Sequence, residues 1–515
     1  YRISSDGKMK ERDYICKNKK EMMERVRFAP SPTGPLHIGG VRTALFNYLY
    51  ARKNKGVFVL RIEDTDQKRK VEASEEYIFE SLAWAGISPD ESVVNPGAFG
   101  PYRQSERGDI YKIYIAELLE KKGAYYAFDS AERLAEARTE AEKTTGAFKY
   151  NYANRASFDN SLSLSEEETQ QRISNGEAYT IRLLVQPNIE ILSDDEIRKT
   201  VRVNSNELED KVLVKADGTP TYHLANVIDD HCMEITTVIR GEEWLPSLPI
   251  HTLLYDIYGW KKPKFVHLPL ILNPSGKGKL SKRDGDKNGY PVFPIAWNGE
   301  FEGYKEKGFL PAAHLNYISQ LGWSSSAEDE IMSLGEIVDA FDLKEIQKGG
   351  ARFDYEKAKW VNQQHIQRLD VEQAKSLILD RCPELKEQYE DEAVLKIVAL
   401  IQERIELLND IPALCSVFLE QPKTYDEKGM QKINKLDLDT LINSIIQLIG
   451  ENSLDEFKDA VFRFCKDQSI GMGAVMQTLR MAAVGNLSGP DIVEVIKVIG
   501  KNSILERLEL LKNQR

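Results

Sequence analysis

The chain has 515 residues, of which 42% are hydrophobic and 29% are charged, as in a globular protein with about three to four domains. Its five cysteines form no Cys-x-x-Cys pair, which argues against a disulfide framework and a cysteine-rich zinc site. No apolar run is long enough to span a membrane, and the net charge of −12 argues against a general nucleic-acid binder without excluding a local basic surface.

Residues 1–21 are polar and carry both signs of charge, without the apolar core of a secretory signal. Their acidic residues also argue against a transit peptide. The chain begins with Tyr1 rather than methionine. We therefore expect residues 1–21 to be a poorly ordered extension or the remnant of a longer precursor, ahead of a natural start at Met22 or Met23.

A strand, a glycine-bearing turn, a helix and a second strand are predicted next. Val26–Ala29 is a short apolar run, and the prolines at 30, 32 and 35 exclude helix directly after it. Apolar residues at 41, 44, 45, 48 and 49 then follow helical spacing, with Gly56 as the expected left-handed cap. Val57–Ile62 is predicted to be a strand. This order is typical of a nucleotide-binding βαβ unit.

The turn before the predicted helix has the chemistry of an anion site. Backbone N–H groups at a helix N-terminus attract phosphate. Gly39 and Gly40 would let a ligand approach the backbone, and His37 could donate a hydrogen bond to it. The turn matches neither a Walker P-loop nor G-x-G-x-x-G, so a plain βα loop with a surface histidine is the alternative.

A basic segment, Lys279–Arg283, lies far downstream, in a predicted loop after Gly276 and Gly278. Alone it would be a solvated loop. Together with the His-Ile-Gly-Gly turn it resembles the two signature motifs of class I aminoacyl-tRNA synthetases. The sequences of residues 27–34, 61–66 and 240–244 narrow the resemblance to glutamyl-tRNA synthetases of the bacterial or organellar type. The resemblance extends from about Val26 to the C-terminus.

This resemblance implies an α/β fold: a class I Rossmann-type catalytic domain split by an α+β insertion and followed by an all-α anticodon-binding region. The catalytic domain would comprise residues 22–104 and 220–260, and the insertion that binds the tRNA acceptor end would be 105–219. Residues 261–360 would be a stem-contact region carrying the Lys279–Arg283 loop, with a glycine-rich segment, 284–308, of no assigned role. Residues 361–515 would be helical and would read the anticodon.

Hydrophobic periodicity predicts further elements along the chain. The expected helices are 71–85, 106–122, 132–143, 165–175, 311–323, 393–408, 436–449, 457–464 and 492–499. The expected strands are 180–185, 200–203, 211–215, 235–239 and 265–272.

The resemblance implies three overlapping groups of site residues. Catalysis would rest on positioning and charge stabilisation by His37, Gly39, Gly40, Lys279 and Lys282. ATP would be bound by Ser31, Pro32, His37, Gly39, Gly40, Glu243, Leu280, Ser281 and Lys282. Glutamate would be bound by Arg27, Ala29, Ser31, Glu63, Arg69, Tyr222, Asn226 and Arg240.

Glutamate has two carboxylates, so its pocket needs two cationic or strongly donating groups. Arg27 and Arg240 are the candidates, since arginine can bind a carboxylate through two hydrogen bonds. Glutamine would leave one of the cations unpaired, which would discriminate against it. Glu63, with Ala29 and Ser31, would hold the α-ammonium group. The alternative for both arginines is a surface ion pair.

Several residues of metal-ligating type are given other interpretations. The segment that corresponds to the zinc cluster of some bacterial relatives, 125–129, has no cysteine, so no zinc is expected. Asp64 and Asp66 are expected to cap the next helix. Residues 229–231 are adjacent on a segment expected to be extended, which disfavours joint ligation. His251, His267 and His314 have no obvious partners and are expected to be packed or on the surface.

The expected activity is glutamate–tRNA ligation, with L-glutamate, ATP and tRNA(Glu) as partners and Mg²⁺ carried by the nucleotide. We expect a cytoplasmic monomer without membrane segments, in which ATP turnover waits for tRNA. An enzyme that also glutamylates tRNA(Gln) is the alternative within the class. A tRNA-modifying relative or a small nucleotidyltransferase would lack the long helical C-terminal region. An inactive scaffold is disfavoured because His37, Glu63 and Lys282 are all present.

Overall fold

The computed structural model of the chain describes residues 23–69, 71–144, 146–325 and 329–514. The expectations for residues 1–21 and for a start at Met22 lie outside this part of the chain. The strands are β1 (Arg25–Phe28), β2 (Val57–Leu60), β3 (Ala124–Ala127), β4 (Thr180–Leu183), β5 (Glu190–Asp195), β6 (Lys199–Asn204), β7 (Val212–Val214), β8 (Thr237–Gly241), β9 (Lys264–Leu268), β10 (Ile271–Leu272) and β11 (Ala351–Arg352).

The helices of the first 360 residues are α1 (Ile38–Lys53), α2 (Ser74–Trp84), α3 (Gly108–Glu120), α4 (Ala131–Thr144), α5 (Glu166–Ser174), α6 (Tyr222–Cys232), α7 (Leu248–Tyr258), α8 (Lys282–Asn288), α9 (Pro311–Ser319) and α10 (Leu334–Ala340). Those that follow are α11 (Tyr355–Gln367), α12 (Val371–Arg381), α13 (Glu384–Gln388), α14 (Asp391–Ile401), α15 (Ile411–Leu419), α16 (Glu427–Ile433), α17 (Leu438–Glu451), α18 (Phe457–Asp467), α19 (Met472–Val484) and α20 (Ile492–Lys512).

A parallel four-stranded sheet, in the order β2-β1-β8-β9, forms the centre of the first part of the chain. Val26 in β1 pairs with Phe58 on one side and with Thr237 on the other. Helix α1 packs its buried face, which includes Val41 and Leu45, against this sheet. The predicted strand–helix–strand unit and the predicted α/β fold are therefore confirmed, and two distant chain segments complete one sheet.

The predicted role of Gly56 as a left-handed helix cap is wrong. Helix α1 ends at Lys53, and the residue with a positive φ, of 51°, is Lys55. A Cβ atom at Gly56 would lie 2.2 Å from the carbonyl oxygen of Glu24, and the same oxygen accepts a hydrogen bond from the Val57 amide. Glycine is needed here because two backbone segments approach closely where β1 and β2 begin to pair.

In the chain segment between β2 and β8, strands β3, β4 and β7 form a separate antiparallel sheet, and β5 and β6 form a hairpin. The helices expected at 132–143 and 165–175 are α4 and α5, and the expected strands are β4, β6 and β7. Hydrophobic periodicity did not indicate β3 and β5. The hairpin lies against the central sheet, where the Phe265 carbonyl accepts a hydrogen bond from the Glu196 amide at 2.9 Å.

The single strand expected over 265–272 is wrong, because the segment divides at Pro269. Strand β9 belongs to the central sheet, whereas β10 pairs with β11. Proline has no amide hydrogen to continue the ladder. The loop predicted for Lys279–Arg283 is also only half right, since helix α8 begins at Lys282 with Ser281 and Asp284 as its capping box.

Residues 284–308 fold back over the start of α1. The Val292 carbonyl accepts a hydrogen bond from the Ile38 amide at 2.9 Å, and the Phe293 and His37 rings meet edge to face at 5.7 Å. Its buried aromatic side chains join the core of the catalytic part. This segment therefore forms part of the wall beside the His-Ile-Gly-Gly turn.

The described residues from 361 onward form helices and turns, without a strand, as the sequence predicted. Their apolar faces build a hydrophobic core of their own, formed by residues between Ile366 and Leu511. The last helix, α20, is interrupted at Gly500, whose φ is 83°. None of the helices in the described ranges combines the length and the apolar character that a bilayer-spanning segment requires.

Candidate active site

A cavity of about 510 Å³ opens at the carboxyl ends of β1 and β8, beside the N-terminus of α1. Ligands of open parallel sheets bind at this edge, where loops follow the strands. The predicted site residues that line it are Arg27, Ala29, Ser31, His37, Gly39, Gly40, Glu63, Arg69, Tyr222, Asn226, Arg240, Glu243, Lys279 and Leu280. The fold thus brings together residues that lie more than two hundred positions apart in the sequence.

Three predicted site residues do not line this cavity. Pro32 lines an adjoining cavity of about 160 Å³, which it shares with Ser31 and Glu63. Ser281 caps helix α8. Lys282 forms an ion pair with Glu300 at 3.3 Å, and its Nζ lies 4.9 Å from the centre of the Phe301 ring. In this conformation the second lysine of the basic motif therefore points towards the 284–308 segment.

The His37 side chain is the N-cap of α1, and its Nδ1 accepts a hydrogen bond from the Gly39 amide at 3.2 Å. In neutral imidazole the proton must then lie on Nε2, which is buried and has no hydrogen-bond partner among the described residues. Burial, followed by the nearby Lys279, lowers the pKa of His37 to about 4. His37 therefore presents an unpartnered neutral N–H donor at the cavity wall.

The two glycines after His37 differ in what they permit. A Cβ at Gly40 would lie 2.4 Å from Cδ1 of Leu36, so a larger residue there would displace the Leu36 side chain inside the domain. A Cβ at Gly39 would meet only His37 Nδ1, at 3.6 Å. Close approach of a ligand to the backbone, which the sequence suggested for both glycines, is thus open at Gly39 alone.

Arg27 is part of a buried network of charges rather than a surface ion pair. Its Nε lies 3.0 Å from Asp230, which also binds Arg61 at 2.8 Å. Arg61 in turn lies 3.0 Å from Glu63, whose same oxygen accepts a hydrogen bond from Asn226. Although burial opposes ionisation, the two arginines hold the pKa of Asp230 below its ordinary value.

Glu63 is the acidic member of this network that lines the cavity. Burial raises its pKa, and Arg61 and Arg27 oppose that rise. Both of its hydrogen bonds, from Arg61 and Asn226, reach Oε1. Within the described part of the chain, Oε2 accepts no hydrogen bond, so this oxygen can accept one from a cationic ligand.

The residues considered for a metal, 229–231, lie on helix α6 and not on the extended segment that was predicted. Asp229 is buried and binds Arg107 at 2.6 Å, Gln104 at 2.8 Å and Tyr111 at 2.9 Å. Its neighbour Asp230 belongs to the network around Arg27. Arginines and hydrogen-bond donors thus pair with both carboxylates, and this pairing accounts for the burial of Asp229 and Asp230 without a metal.

Asp64 and Asp66 do not cap the next helix, which corrects the prediction. Helix α2 begins after Ala73, without a side-chain cap. Asp64 instead accepts hydrogen bonds from the amide and the hydroxyl of Ser105, at 2.8 and 2.7 Å. Asp66 pairs with Arg69 at 2.8 Å on the surface, where the Arg69 side chain is 73% exposed.

Arg240 differs from Arg27, because no carboxylate of the described residues contacts it. It is buried, and its guanidinium donates to Tyr222 Oη at 3.0 Å and to His267 Nε2 at 2.9 Å. His251 Nδ1 lies 3.3 Å away. A buried cation without a counter-ion is costly, so this cavity favours an anionic ligand at Arg240.

No partners for His251, His267 and His314 were evident from the sequence, and the structure supplies partners for the first two. His251 and His267 both lie against Arg240, and His267 also binds Asp195 at 2.7 Å. His314 is buried beside the rings of Trp84 and Tyr304, and within the described ranges neither of its ring nitrogens has a hydrogen-bond partner. It is a packed histidine, as expected.

Sequence reasoning missed Arg42 as a cavity residue. It is buried on α1 and donates to the carbonyl oxygens of Leu321 and Pro269. Its place five residues after His37, inside the helix that periodicity predicts, was the available signal. With Arg42, the cationic residues lining the cavity are Arg27, Arg42, Arg69, Arg240 and Lys279, against Glu63 and Glu243 as acids. This balance suits a ligand with several negative charges.

Comparison with protein families identifies two matching regions. The family of class I tRNA synthetases (E and Q), catalytic domain, matches residues 23–360, and an anticodon-binding domain family matches residues 370–511. Together they account for most of the chain.

Among curated proteins, glutamate–tRNA ligase of Flavobacterium johnsoniae is 49% identical, over 94% of this chain and 98% of its own. The ligase of Porphyromonas gingivalis W83 is 44% identical, over 94% of this chain and 97% of its own.

Two solved structures have the same fold over nearly the full length. A glutamate tRNA ligase from Elizabethkingia meningosepticum, in complex with its amino acid, has a TM-score of 0.90 and 46% identity, covering 95% of this chain and 99% of that one. Glutamate-tRNA synthetase from Elizabethkingia anophelis has a TM-score of 0.88 and 45% identity, covering 96% and 100%. The chain therefore belongs to the glutamate–tRNA ligase family of class I aminoacyl-tRNA synthetases.

Proposed function

We propose that this chain activates L-glutamate with ATP and transfers it to the 3′ end of tRNA(Glu). The observation that carries the proposal is a cavity in which a buried arginine without a counter-ion, Arg240, shares the wall with a buried carboxylate, Glu63, and an unpartnered donor, His37. These groups match the carboxylate and ammonium of an amino acid and the phosphate of a nucleotide.

In the first step, a glutamate carboxylate oxygen attacks the α-phosphorus of ATP, and the bond to the β-phosphate breaks to release pyrophosphate. His37 Nε2–H and the Gly39 amide region would bind the phosphate oxygens at the N-terminus of α1. Lys279, which pairs with Glu243 at 3.1 Å on the surface, would add a mobile positive charge. Ser31, Pro32, Gly40, Leu280 and Ser281 complete the nucleotide site in this proposal.

Lys282 would contribute to the same step only after leaving Glu300. The ion pair is half exposed, so little free energy holds the lysine in its present place. Mg²⁺ reaches such sites on the phosphates of ATP, and we treat it as part of the substrate complex.

Glutamate binding would divide between the two arginines and Glu63. Glu63 would accept from the α-ammonium, beside Ala29 and Ser31, and Arg240 would bind a carboxylate with help from Tyr222. Arg27 already shares two hydrogen bonds with Asp230, so its contribution to the ligand is smaller than that of Arg240. Glutamine would leave part of this positive charge uncompensated, which disfavours it. Arg69 and Asn226 complete the glutamate site.

In the second step, a hydroxyl of the terminal adenosine of tRNA attacks the activated carbonyl, and AMP leaves. We assign residues 22–104 and 220–260 to the catalytic domain, 105–219 to binding of the acceptor end, 261–360 to stem contacts and 361–515 to the anticodon. We place the reaction in the cytoplasm and expect the enzyme to act as a monomer, with activation waiting for tRNA.

Glutamate-dependent pyrophosphate exchange tests the proposal, run without tRNA and with transcripts of tRNA(Glu) or tRNA(Gln). Exchange with tRNA(Glu) alone is the expected result. Exchange with both transcripts would show a non-discriminating enzyme, and absence of exchange under all three conditions would refute the proposed activity.

A further inference from the structure

Arg240 is held by a chain of buried side chains that reaches into the inserted region. Its Nε donates to His267 Nε2 at 2.9 Å, and His267 Nδ1 lies 2.7 Å from Oδ2 of Asp195. All three side chains are buried. Asp195 ends strand β5 of the hairpin, whereas His267 and Arg240 belong to β9 and β8 of the central sheet.

The hydrogen bonds fix the tautomer of His267. The Arg240 Nε can only donate, so His267 Nε2 must accept and cannot carry a proton. The single proton of the neutral ring therefore lies on Nδ1 and is donated to Asp195. Burial is the main cause that lowers the pKa of His267. The hydrogen bond to Asp195 opposes this effect and Arg240 adds to it, so the lowered pKa agrees with a neutral ring.

The carboxylate of Asp195 accepts from four donors. Oδ2 accepts from the His267 ring and the His267 amide, at 2.7 and 3.0 Å. Oδ1 accepts from the amides of Ile197 and Arg198, at 3.0 and 2.7 Å. An asparagine would turn its NH₂ group towards donors in either orientation, so only a carboxylate satisfies this position. The Asp195 carboxylate, on which each oxygen accepts two hydrogen bonds, thus joins the hairpin to the central sheet.

We propose that Asp195 and His267 are positioning residues that orient Arg240 for a glutamate carboxylate, and that the β5–β6 hairpin thereby helps to build the amino-acid pocket. The inference rests on the proposed role of Arg240 in glutamate binding. His267 offers an acceptor to one edge of the guanidinium without neutralising it, and Tyr222 accepts from NH1. The charge of Arg240 therefore stays available to the ligand, and its orientation does not depend on the ligand.

Two replacements of His267 separate its contacts. Glutamine places an amide near the position of Nε2 and can still accept from Arg240, whereas asparagine places an amide near Nδ1 and can still donate to Asp195. We expect His267→Asn to raise the KM for glutamate at least about tenfold and to leave the KM for ATP unchanged. His267→Gln should stay within about threefold of the parent, and Asp195→Asn should resemble His267→Asn.

Pyrophosphate exchange with tRNA(Glu) gives both KM values, and thermal unfolding followed by circular dichroism checks the fold of each variant. His314→Asn is the matched control, because His314 is equally buried but, among the described residues, makes no hydrogen bond to Arg240. It should lower the melting temperature and leave the KM for glutamate unchanged. Arg240→Gln tests the role on which the inference rests and should raise the KM for glutamate more than any other variant.

The inference is overturned if folded His267→Asn and Asp195→Asn keep the parental KM for glutamate while Arg240→Gln raises it. Parallel rises in the KM for ATP, or equal losses in the two His267 variants, would also overturn it, because they indicate general damage to the fold. A parental KM in Arg240→Gln would instead refute the proposed function of that arginine and, with it, the inference.

Discussion

Replacing His37 with asparagine should separate the two contacts that this side chain can make. Nδ1 accepts from the Gly39 amide as the N-cap of α1, and Nε2 is buried without a partner at the cavity wall. Asparagine is a good N-cap residue, and its Oδ1 can replace Nδ1 as the acceptor. It has no group at the position of Nε2. We therefore expect His37→Asn to keep the helix start and to lose the donor.

The two losses have different sizes. Removing one preorganised donor to charge that develops in the transition state costs about 10²–10³ in kcat, or roughly 2.7–4 kcal/mol. Removing an N-cap costs about 1 kcal/mol of stability. His37→Asn should therefore lower kcat at an unchanged melting temperature, whereas His37→Ala should lower both. His37→Gln, which places an amide near the position of Nε2, should retain more activity than either variant.

Pyrophosphate exchange with tRNA(Glu), together with thermal unfolding, measures both quantities. Because burial lowers the pKa of His37 to about 4, the imidazole is neutral at physiological pH, and its ionisation should not shape kcat between about pH 6 and 8. A kcat of His37→Asn within about threefold of the parent would refute the donor role. Equal melting temperatures for the asparagine and alanine variants would refute the capping role.

Three further changes test other parts of the structure. Gly56→Ala should lower the melting temperature at an unchanged KM, because a Cβ would lie 2.2 Å from the Glu24 carbonyl oxygen; an unchanged melting temperature would contradict this. Glu63→Gln should raise the KM for glutamate in pyrophosphate exchange. Since burial raises the pKa of Glu63 above its ordinary 4.5, acidification protonates it, so the parental KM should rise as the pH falls and the variant should show a flatter profile. Glu300→Gln should release Lys282 and lower the KM for ATP by less than about fivefold; a higher KM would show that the ion pair supports activity.

Local rules read from the sequence were sufficient for the elements that carry the site. Helical spacing after residue 40 predicted α1, and the apolar run at 57–62 predicted β2, because periodicity depends only on neighbours along the chain. The rules failed where distant backbone decides the local choice. Gly56 is fixed by Glu24, and the residues at 229–231 are helical because α6 packs into the core.

The types of the site residues were also determined by the sequence. The motifs around His37, Glu63, Arg240 and Lys279 named residues that line one cavity. They could not show how those residues are used. Arg27 and Arg240 were equivalent as candidates, yet one is paired with a carboxylate and the other is not.

The amino-acid sequence is sufficient to identify the family, the order of the helices and strands, and the kinds of side chain at the site. The partners of those side chains depend on the folded structure: Asp230 pairs with Arg61, 169 positions away, and Asp195 with His267, 72 positions away. An aspartate or histidine has the same local signature whether it binds a metal, an arginine or a substrate. The choice depends on which donors and charges the fold places within hydrogen-bonding distance, and that is a property of the packed molecule.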